Sequence, residues 1–199
     1  SADTFPVETI RRVTDHIFEN DAQAALQYGL TLGYSGLIEV VVEVSRRRQI
    51  QSVSTGQVAI TSGSQQALDL VGQLFVDPGD VVLVELPTYI GALAAFRKHQ
   101  AELVGVRQDS NGMDLEHLQT TIRDLTRSGR RLKLIYVIPN FQNPSGITLS
   151  LEKRKALVHL ASRHNLLIIE DDPYGELYFD QSVASQLLPL KAFDQEGVV

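Results

Sequence analysis

Length and charge already exclude several classes of protein. The chain has 199 residues, 43% of them hydrophobic, and its 24 acidic against 18 basic residues give a formal net charge of −6. That composition is typical of a globular protein with one sizeable core, and it supplies no basic stripe for nucleic acid. The sequence shows no apolar run near the roughly 18 residues of a membrane span, no leader pattern and no cysteine. We expect no membrane or nucleic-acid partner and a cytoplasmic location.

Residues 1–50 carry helical rather than strand periodicity. Apolar side chains recur at helical spacing after Pro6 and again in a second segment: Val7, Ile10, Val13 and Ile17, then Leu37, Val40, Val41 and Val44. The basic run at 46–48 is typical of the solvated end of that second helix. Between the two helices, Tyr28 and Tyr34 lie in a glycine-rich loop, where each either packs or faces a ligand or a partner subunit. Residues 1–50 are therefore predicted to form a helical segment.

The remaining residues, 51–199, alternate between short strands and helices. Strands are predicted at 58–61, 81–85, 102–106, 132–138 and 166–169, with the start of another at 197–199. Helices are predicted between them at 67–75, 90–99, 114–127 and 150–164, with Asp114 and Ser150 as N-caps. Strands regularly separated by helices indicate a mostly parallel sheet with right-handed crossovers, here a three-layer α/β/α domain.

The strand at 166–169 leads into the most informative stretch, E-D-D-P-Y at 170–174. In open α/β sheets ligands bind beyond the carboxyl ends of the strands, so an acid there can pair with a protonated ring nitrogen. Two other interpretations are an acidic loop that only caps a core strand and a Mg²⁺ site made by Glu170, Asp171 and Asp172. The metal site is disfavoured because adjacent strand residues point to opposite faces.

The other strand ends add groups of complementary chemistry. A Ser-Gly turn opens the helix after the first predicted strand, and free N–H groups at a helix start suit a phosphate. An aromatic ring, an amide, a carboxylate and a second phenol follow the later strands, which gives these candidates: Ser64, Gln65, Tyr89, Asn143, Asp171 and Tyr174. A phosphate cradle, a stacking ring, two donors and an acid for a ring nitrogen together indicate a site for pyridoxal 5′-phosphate.

Four motifs give the sequence a resemblance to a known family. They are T-S-G-S-Q-Q at 61–66, P-T-Y at 87–89, N-F-Q-N-P-S-G at 140–146 and E-D-D-P-Y at 170–174. Over nearly its whole length the chain resembles the fold-type I pyridoxal-phosphate aminotransferases of class I/II, in the branch near the kynurenine and 2-aminoadipate aminotransferases. The resemblance implies transfer of an amino group from an α-amino acid to a 2-oxo acid, often 2-oxoglutarate, by a homodimer.

The resemblance also implies a role for each candidate residue. Ser64 and Gln65 would bind the phosphate, and Tyr89 would stack on the pyridine ring. Asn143 would donate to the 3′-oxygen of the ring, as would the phenol at position 174. Asp171 would pair with the ring nitrogen, where a carboxylate favours the protonated ring and so the better electron sink.

The resemblance to the family is looser near the start of the chain, and one essential family residue is not found in these 199 residues. Tyr28 matches the tyrosine that reaches the phosphate of the neighbouring subunit, but Ser35 and Ile38 stand where relatives often carry proline and arginine. The family's Schiff-base lysine is expected just after Val199, and Lys191 lacks its Ser-x-Ser-Lys context. The sequence is therefore expected to be a fragment, with residues 51–199 forming a cofactor-binding domain truncated before that lysine and inactive as it stands.

Other functions are also open on the sequence. The main alternative is a pyridoxal-phosphate-binding effector domain of a GntR/MocR-type transcription regulator. Residues 1–50 contain no basic helix-turn-helix, and Gln142 followed by Asn143 favours the enzyme. A nucleotide-binding doubly wound domain would need a glycine fingerprint that the chain lacks. His159 and His164, five apart on a helix, do not share a face, so no metal site is expected.

Overall fold

The computed structural model of the chain describes residues 4–199. Its helices are α1 Val7–Asn20, α2 Ala22–Leu26, α3 Ser35–Arg47, α4 Ser64–Phe75, α5 Ile90–Lys98, α6 Leu115–Arg127 and α7 Leu151–Arg163. Its strands are β1 Val81–Leu86, β2 Glu102–Asp109, β3 Gly112–Met113, β4 Leu132–Val137 and β5 Leu167–Glu170. No helix in the described part of the chain is both long and apolar enough to cross a bilayer.

The five strands form one sheet in the order β3-β2-β1-β4-β5. β1 pairs in parallel with β2 and β4, β4 pairs in parallel with β5, and the two-residue β3 runs antiparallel to β2. Helices connect the parallel strands, as parallel pairing requires. Val84 lies beside Tyr136, and Tyr136 beside Ile169. The carboxyl ends of β1, β4 and β5 therefore meet at one edge of the sheet.

Side chains alternate between the two faces of the sheet, and helices cover both faces. One face packs on α6 and α7 through buried side chains that include Leu83, Ile135, Ile168, Leu118 and Leu157. The opposite face packs on α4 and α5 through Val82, Leu134, Leu68, Ala95 and Phe96. The predicted three-layer α/β/α architecture is confirmed. Burial on both faces explains why these strands are continuous aliphatic runs in the sequence.

Helix starts follow the predicted capping signals. The Asp114 carboxylate accepts a hydrogen bond from the His117 N–H at 2.9 Å, and the Ser150 hydroxyl accepts one from the Lys153 N–H at 3.3 Å. Each bond satisfies a backbone donor that has no partner inside its helix. Both predicted N-caps are therefore confirmed.

Two predicted strands do not form. The strand predicted at 58–61 is wrong: Val58 has extended backbone angles, but the segment pairs with no strand. The segment lies beside a loop instead: the Ile60 N–H donates a hydrogen bond to the Leu32 carbonyl oxygen at 2.8 Å. Because that loop is not a strand, no ladder of hydrogen bonds forms. Residues 197–199 are not a strand either, although the Val198 carbonyl oxygen accepts a hydrogen bond from the Ile168 N–H at 2.6 Å.

The N-terminal helices form where the periodicity predicts them, but their burial differs from the pattern. α1 buries none of its residues, and its apolar side chains Val7, Ile10, Val13 and Ile17 are between 38 and 63% exposed. α3 buries Ile38 and Val42, whereas most of its predicted apolar stripe faces outward. Residues 4–199 therefore leave the apolar face of α1 uncovered.

Candidate active site

Asp171 is held at the carboxyl edge of the sheet, directly after β5. Its backbone N–H donates to the Val137 carbonyl oxygen at 3.0 Å, which extends the ladder between β4 and β5 by one residue. Its Oδ2 accepts a hydrogen bond from the Tyr136 hydroxyl at 2.6 Å, and the side chain is half-buried. No lysine, arginine or histidine of residues 4–199 forms an ion pair with Asp171. The site thus contains a fixed carboxylate whose charge no protein cation compensates.

The neighbouring carboxylates have different partners. Asp172 accepts from Arg48 Nη2 at 2.5 Å and from Asn140 Nδ2 at 2.9 Å. Glu170 accepts from the backbone N–H groups of Leu190 and Lys191 at 2.6 and 3.1 Å, and burial raises the pKa of Glu170 to about 7. The three acids therefore do not converge. Across the described residues no group of three or more metal-ligating side chains is placed to hold a metal ion.

Arg48 also corrects the sequence interpretation of the basic run at 46–48. Arg46 and Arg47 are exposed, as expected for the end of a helix, but Arg48 is half-buried. Its guanidinium bridges Asp172 and, at 3.0 Å, Glu176, and it donates to the Leu187 carbonyl oxygen at 3.1 Å. The end of α3 is thus attached to the loop that follows Asp171.

Tyr89 and the first turn of α4 lie side by side at the same edge. Tyr89 is the N-cap of α5, just after β1, and its ring covers Gly91 so closely that a Cβ there would lie 2.4 Å from Tyr89 Cζ. The side-chain amide of Gln65 donates to the Gly91 carbonyl oxygen at 3.2 Å. α4 starts at Ser64 after Gly63, whose φ is +89° and which provides no side-chain cap. Uncapped N–H groups therefore lie next to the Tyr89 ring.

Tyr174 joins this group through the apolar core. Tyr89 and Tyr174 are both half-buried and pack against the cluster that contains Tyr136. Burial, then the hydrogen bond and charge of Asp171, raise the pKa of Tyr136 well above its ordinary value, with a smaller contribution from Glu85. Tyr89 and Tyr174 therefore pack on the cluster that contains Tyr136, the residue that is hydrogen-bonded to Asp171.

Asn143 is positioned by a hydrogen-bonded clamp. Gln142 Nε2 donates to the Pro87 carbonyl oxygen at 2.8 Å, and Gln142 Oε1 accepts from the backbone and hydroxyl of Ser145 at 2.9 and 2.7 Å. Gln108 Nε2 donates to the same Pro87 oxygen at 2.9 Å. The loop that carries Asn143 is thereby fixed to the loop that leads to Tyr89, and the Asn143 side chain is half-buried.

Glu85 is a site residue that the sequence reasoning missed. Its carboxyl group is buried beneath the two loops, where Oε2 accepts from the Ile138 N–H at 3.0 Å and from Gln142 Nε2 at 3.4 Å. Burial raises the pKa of Glu85 to about 7. The signal was visible in the sequence, since a single acid interrupts the aliphatic run V-V-L-V-E-L at 81–86.

Arg154 supports the loops from behind and was also missed. It is fully buried in α7 and donates to the carbonyl oxygens of Leu149, Leu188 and Pro139 and to Asn140 Oδ1, at distances of 2.7 to 3.0 Å. Desolvation lowers the pKa of Arg154 to about 10, opposed by the charges of the acids at 170 and 172. In the sequence Arg154 is one basic residue of an ordinary amphipathic helix, so nothing marks it.

Two residues singled out in the sequence lie apart from this group. Tyr28 is fully exposed, and no hydrogen bond within residues 4–199 involves it. Lys191 Nζ donates to Asp194 Oδ2 at 2.9 Å and to the Val199 carbonyl oxygen at 2.5 Å. Neither side chain contacts Asp171.

The arrangement fits a flat, phosphorylated and protonated heteroaromatic ligand. Asp171 has a charge without a protein counter-ion, the start of α4 has uncapped N–H groups, and a Cβ built on Gly63 would meet nothing within 4 Å. Thr88, beside Tyr89 in the chain, has a buried hydroxyl oxygen without a hydrogen-bond partner in the described structure. Native proteins rarely leave such groups unpaired, so a polar ligand would complete the site.

The sequence profile of the family described as aminotransferase class I and II matches residues 2–198. The chain belongs to this family. Its members are pyridoxal 5′-phosphate enzymes, and the groups that converge at the sheet edge fit that cofactor. The predicted family and fold are both confirmed.

Similar proteins come from the predicted branch. Aromatic-amino-acid aminotransferase 1 of Thermococcus litoralis is 43% identical over 197 residues, 99% of this chain and 46% of that protein. The 2-aminoadipate transaminase of Thermus thermophilus is 38% identical over 186 residues, 94% of this chain and 44% of that protein. The crystal structure of Pyrococcus horikoshii kynurenine aminotransferase in complex with PMP has a TM-score of 0.90 at 42% identity, over 99% of this chain and 48% of that one. The chain spans about half the length of these relatives.

A different kind of relative is also present. The HTH-type transcriptional regulator YisV of Bacillus subtilis is 33% identical over 200 residues, which are 99% of this chain and 38% of the regulator. Sequence similarity alone therefore does not separate enzymes from regulators that share this domain.

Proposed function

We propose that the protein is a pyridoxal 5′-phosphate-dependent aminotransferase that moves an amino group from an α-amino acid to a 2-oxo acid, with 2-oxoglutarate as the acceptor. The observation that carries this proposal is Asp171, a fixed carboxylate at the carboxyl edge of the sheet with no protein cation beside it. A carboxylate in that setting attracts a cationic ring nitrogen. Membership of the aminotransferase family supports the same ligand.

Different residues around Asp171 bind different parts of the cofactor. Ser64 and Gln65 hold the phosphate, because the uncapped start of α4 combines backbone N–H groups with the positive end of the helix dipole. Tyr89 supplies a flat face for the pyridine ring. Asn143 and Tyr174 donate hydrogen bonds to the ring's 3′-oxygen. When bound, the cofactor supplies an electron sink for the substrate Cα, and the residues named here bind and orient it.

The lysine that the family uses is proposed to lie outside these 199 residues. Lys191 has its own partners, Asp194 and the Val199 carbonyl oxygen, and it does not contact Asp171. The match to about half of each relative supports a longer protein that supplies both this lysine and the small domain. Without them, we expect residues 1–199 to bind the cofactor non-covalently and to be inactive.

A homodimer is proposed from the N-terminal segment. The exposed apolar residues of α1, together with the fully exposed Tyr28, offer a surface that a second copy can cover. In that assembly the helical segment 1–50 contacts the partner, and Tyr28 reaches the phosphate bound by the neighbouring domain 51–199. The cytoplasmic location predicted from the sequence stays a prediction.

Two measurements test the proposed function. The first is the affinity of the chain for pyridoxamine 5′-phosphate, which has no aldehyde and therefore binds without a lysine. Wild-type binding should be abolished by Asp171→Ala, with Asp15→Ala on exposed α1 as the matched control. The second is formation of glutamate from 2-oxoglutarate and a mixture of amino acids by the longer protein. Absence of binding would overturn the proposal.

A cofactor-binding effector domain of a transcription regulator is the second candidate, and the similarity to YisV favours it. The two functions differ in the consequence of cofactor binding. A regulator would bind pyridoxal 5′-phosphate and change its affinity for DNA, but it would not form glutamate. A helix-turn-helix in the longer protein, with DNA binding that depends on the cofactor, would decide for the regulator.

A further inference from the structure

Tyr136 lies beneath the site and is absent from the residues that the sequence indicates for cofactor binding. It lies on β4, between β1 and β5, and its side chain is fully buried. Its ring meets the ring of Phe96 edge to face, with centroids 5.9 Å apart and an interplanar angle of 68°. The ring is thus held on both sides by strands and on one face by α5, so its hydroxyl has a fixed position.

That hydroxyl is a neutral donor to a charged acceptor. It donates to Asp171 Oδ2 at 2.6 Å, the short distance typical of a hydrogen bond to an ionised carboxylate. Burial and the nearby negative charge raise the pKa of Tyr136 above its ordinary value, so the phenol keeps its proton. The phenol therefore holds the carboxylate without neutralising it.

The two oxygens of Asp171 consequently have different roles. Oδ2 is occupied by Tyr136, whereas Oδ1 accepts no hydrogen bond from any described residue. The backbone of Asp171 is fixed as well, through its N–H to the Val137 carbonyl oxygen. Asp172 shows the contrasting arrangement, since Arg48 and Asn140 occupy both of its oxygens.

We propose that Tyr136 is a positioning residue for the cofactor. Its hydroxyl fixes one oxygen of Asp171 so that the other accepts a hydrogen bond from the protonated pyridine nitrogen, which keeps its proton. This inference rests on the proposed function, because it needs the ring nitrogen of pyridoxal 5′-phosphate at Asp171. A cation in place of the phenol would cancel the charge that attracts the ring, and an apolar side chain would leave the carboxylate free to rotate.

The test compares two ligands that differ in one ring atom. Pyridoxamine 5′-phosphate carries the ring nitrogen, and its deaza analogue has a C–H group in the same place. We expect Tyr136→Phe to weaken binding of pyridoxamine 5′-phosphate about tenfold, because a hydrogen bond to a charged group is lost. Binding of the deaza analogue should change by less than about twofold. Tyr178→Phe, outside the site, is the matched control and should alter neither affinity.

The outcomes separate this inference from the proposed function. If Tyr136→Phe weakens both ligands equally, or neither, the positioning role is overturned while cofactor binding stands. If the wild-type protein binds neither ligand, the proposed function and this inference are both overturned. Circular dichroism establishes that the variant is folded.

If Tyr136→Phe does not fold, the wild-type protein provides the measurement. The phenolic proton of Tyr136 should exchange slowly in nuclear magnetic resonance spectra. Its resonance should shift when pyridoxamine 5′-phosphate is added and not with the deaza analogue. A chemical shift that changes with neither ligand, or changes equally with both, contradicts the proposal.

Discussion

The N-terminal segment, residues 4–34, and the carboxyl edge of the sheet differ sharply in how their side chains are held. In the first, large apolar side chains such as Phe5, Leu26 and Tyr28 are between 67 and 102% exposed. At the second, even ionisable groups are buried, including Glu85 and Arg154, and each has at least two hydrogen-bond partners. A polar network is therefore more completely enclosed than an apolar helix face.

The contrast separates a region whose contacts all lie within the described chain from a region that needs an additional surface to bury its apolar side chains. An apolar face that no described residue covers can gain stability only from a surface outside residues 4–199. The loops at the sheet edge are instead fixed by contacts within the described chain, such as those of Gln142 with Pro87 and Ser145. The candidate site residues at the sheet edge should thus keep their geometry without a partner, and the N-terminal segment should not.

The largest expected effect comes from breaking the network behind the site. Arg154→Met removes four hydrogen bonds and the buried positive charge that lies near the acids at 170 and 172. We expect the free energy of unfolding to fall by about 3–5 kcal/mol, measured by urea denaturation. Arg12→Met on exposed α1 is the control and should change it by less than about 0.5 kcal/mol. Equal effects of the two substitutions would remove the contrast between the regions.

A second pair of substitutions compares apolar burial directly. Leu83→Ala empties a fully buried position of β1, and we expect a loss of about 2–5 kcal/mol. Val13→Ala on α1 should cost less than about 0.5 kcal/mol in dilute protein, because Val13 is 49% exposed. If a second copy covers α1, the loss for Val13→Ala should grow with protein concentration. Thermal unfolding at several protein concentrations measures the stability loss of each variant, and sedimentation follows association. A loss for Val13→Ala that does not change with concentration would argue against a second copy covering α1.

The sequence was sufficient for most of the helices and strands, because local signals encode them. Aliphatic runs separated by amphipathic helices predicted four of the five strands, and turn residues placed Tyr89 and Asp171 at strand ends. The strand at 58–61 failed because pairing depends on a neighbour, and a local pattern says nothing about the segment that lies beside it. β3 was missed because two residues are too short to show a period.

The supporting network was not predictable for a related reason. Apart from Leu149, the hydrogen-bond partners of Tyr136, Glu85 and Arg154 lie between 14 and 57 residues away in the chain. Their own neighbours in the sequence give no sign of those contacts. An acid or a phenol within an aliphatic strand is a usable signal of a buried polar contact, but its partner becomes visible only in three dimensions.

Burial of Glu85 makes the free energy of unfolding depend on pH. The folded-state pKa of Glu85 is about 7, above the value near 4.3 of an exposed glutamate, so the folded protein binds the extra proton. Stability from this group is present below about pH 4.5 and is lost as pH rises through 7. Glu85→Gln should therefore be more stable than wild type by about 1–3 kcal/mol at pH 8 and nearly equal to it at pH 4. Urea denaturation at both pH values tests this, and Glu39→Gln on the exposed side of α3 should show no such difference.

Substitution of Tyr28 should have the smallest effect on stability, and it tests directly whether the N-terminal segment acts through a second copy of the chain. Because Tyr28 is fully exposed and has no hydrogen bond in residues 4–199, Tyr28→Phe should leave the free energy of unfolding within about 0.5 kcal/mol of wild type. If its hydroxyl instead reaches a phosphate bound by the neighbouring subunit, the same change should weaken pyridoxamine 5′-phosphate binding about threefold. That weakening should appear only at concentrations where the protein associates, whereas the effect of Tyr136→Phe should not depend on concentration. A loss of affinity in dilute, monomeric protein would place Tyr28 in its own chain's site and would mean that the N-terminal segment does not need a partner to act.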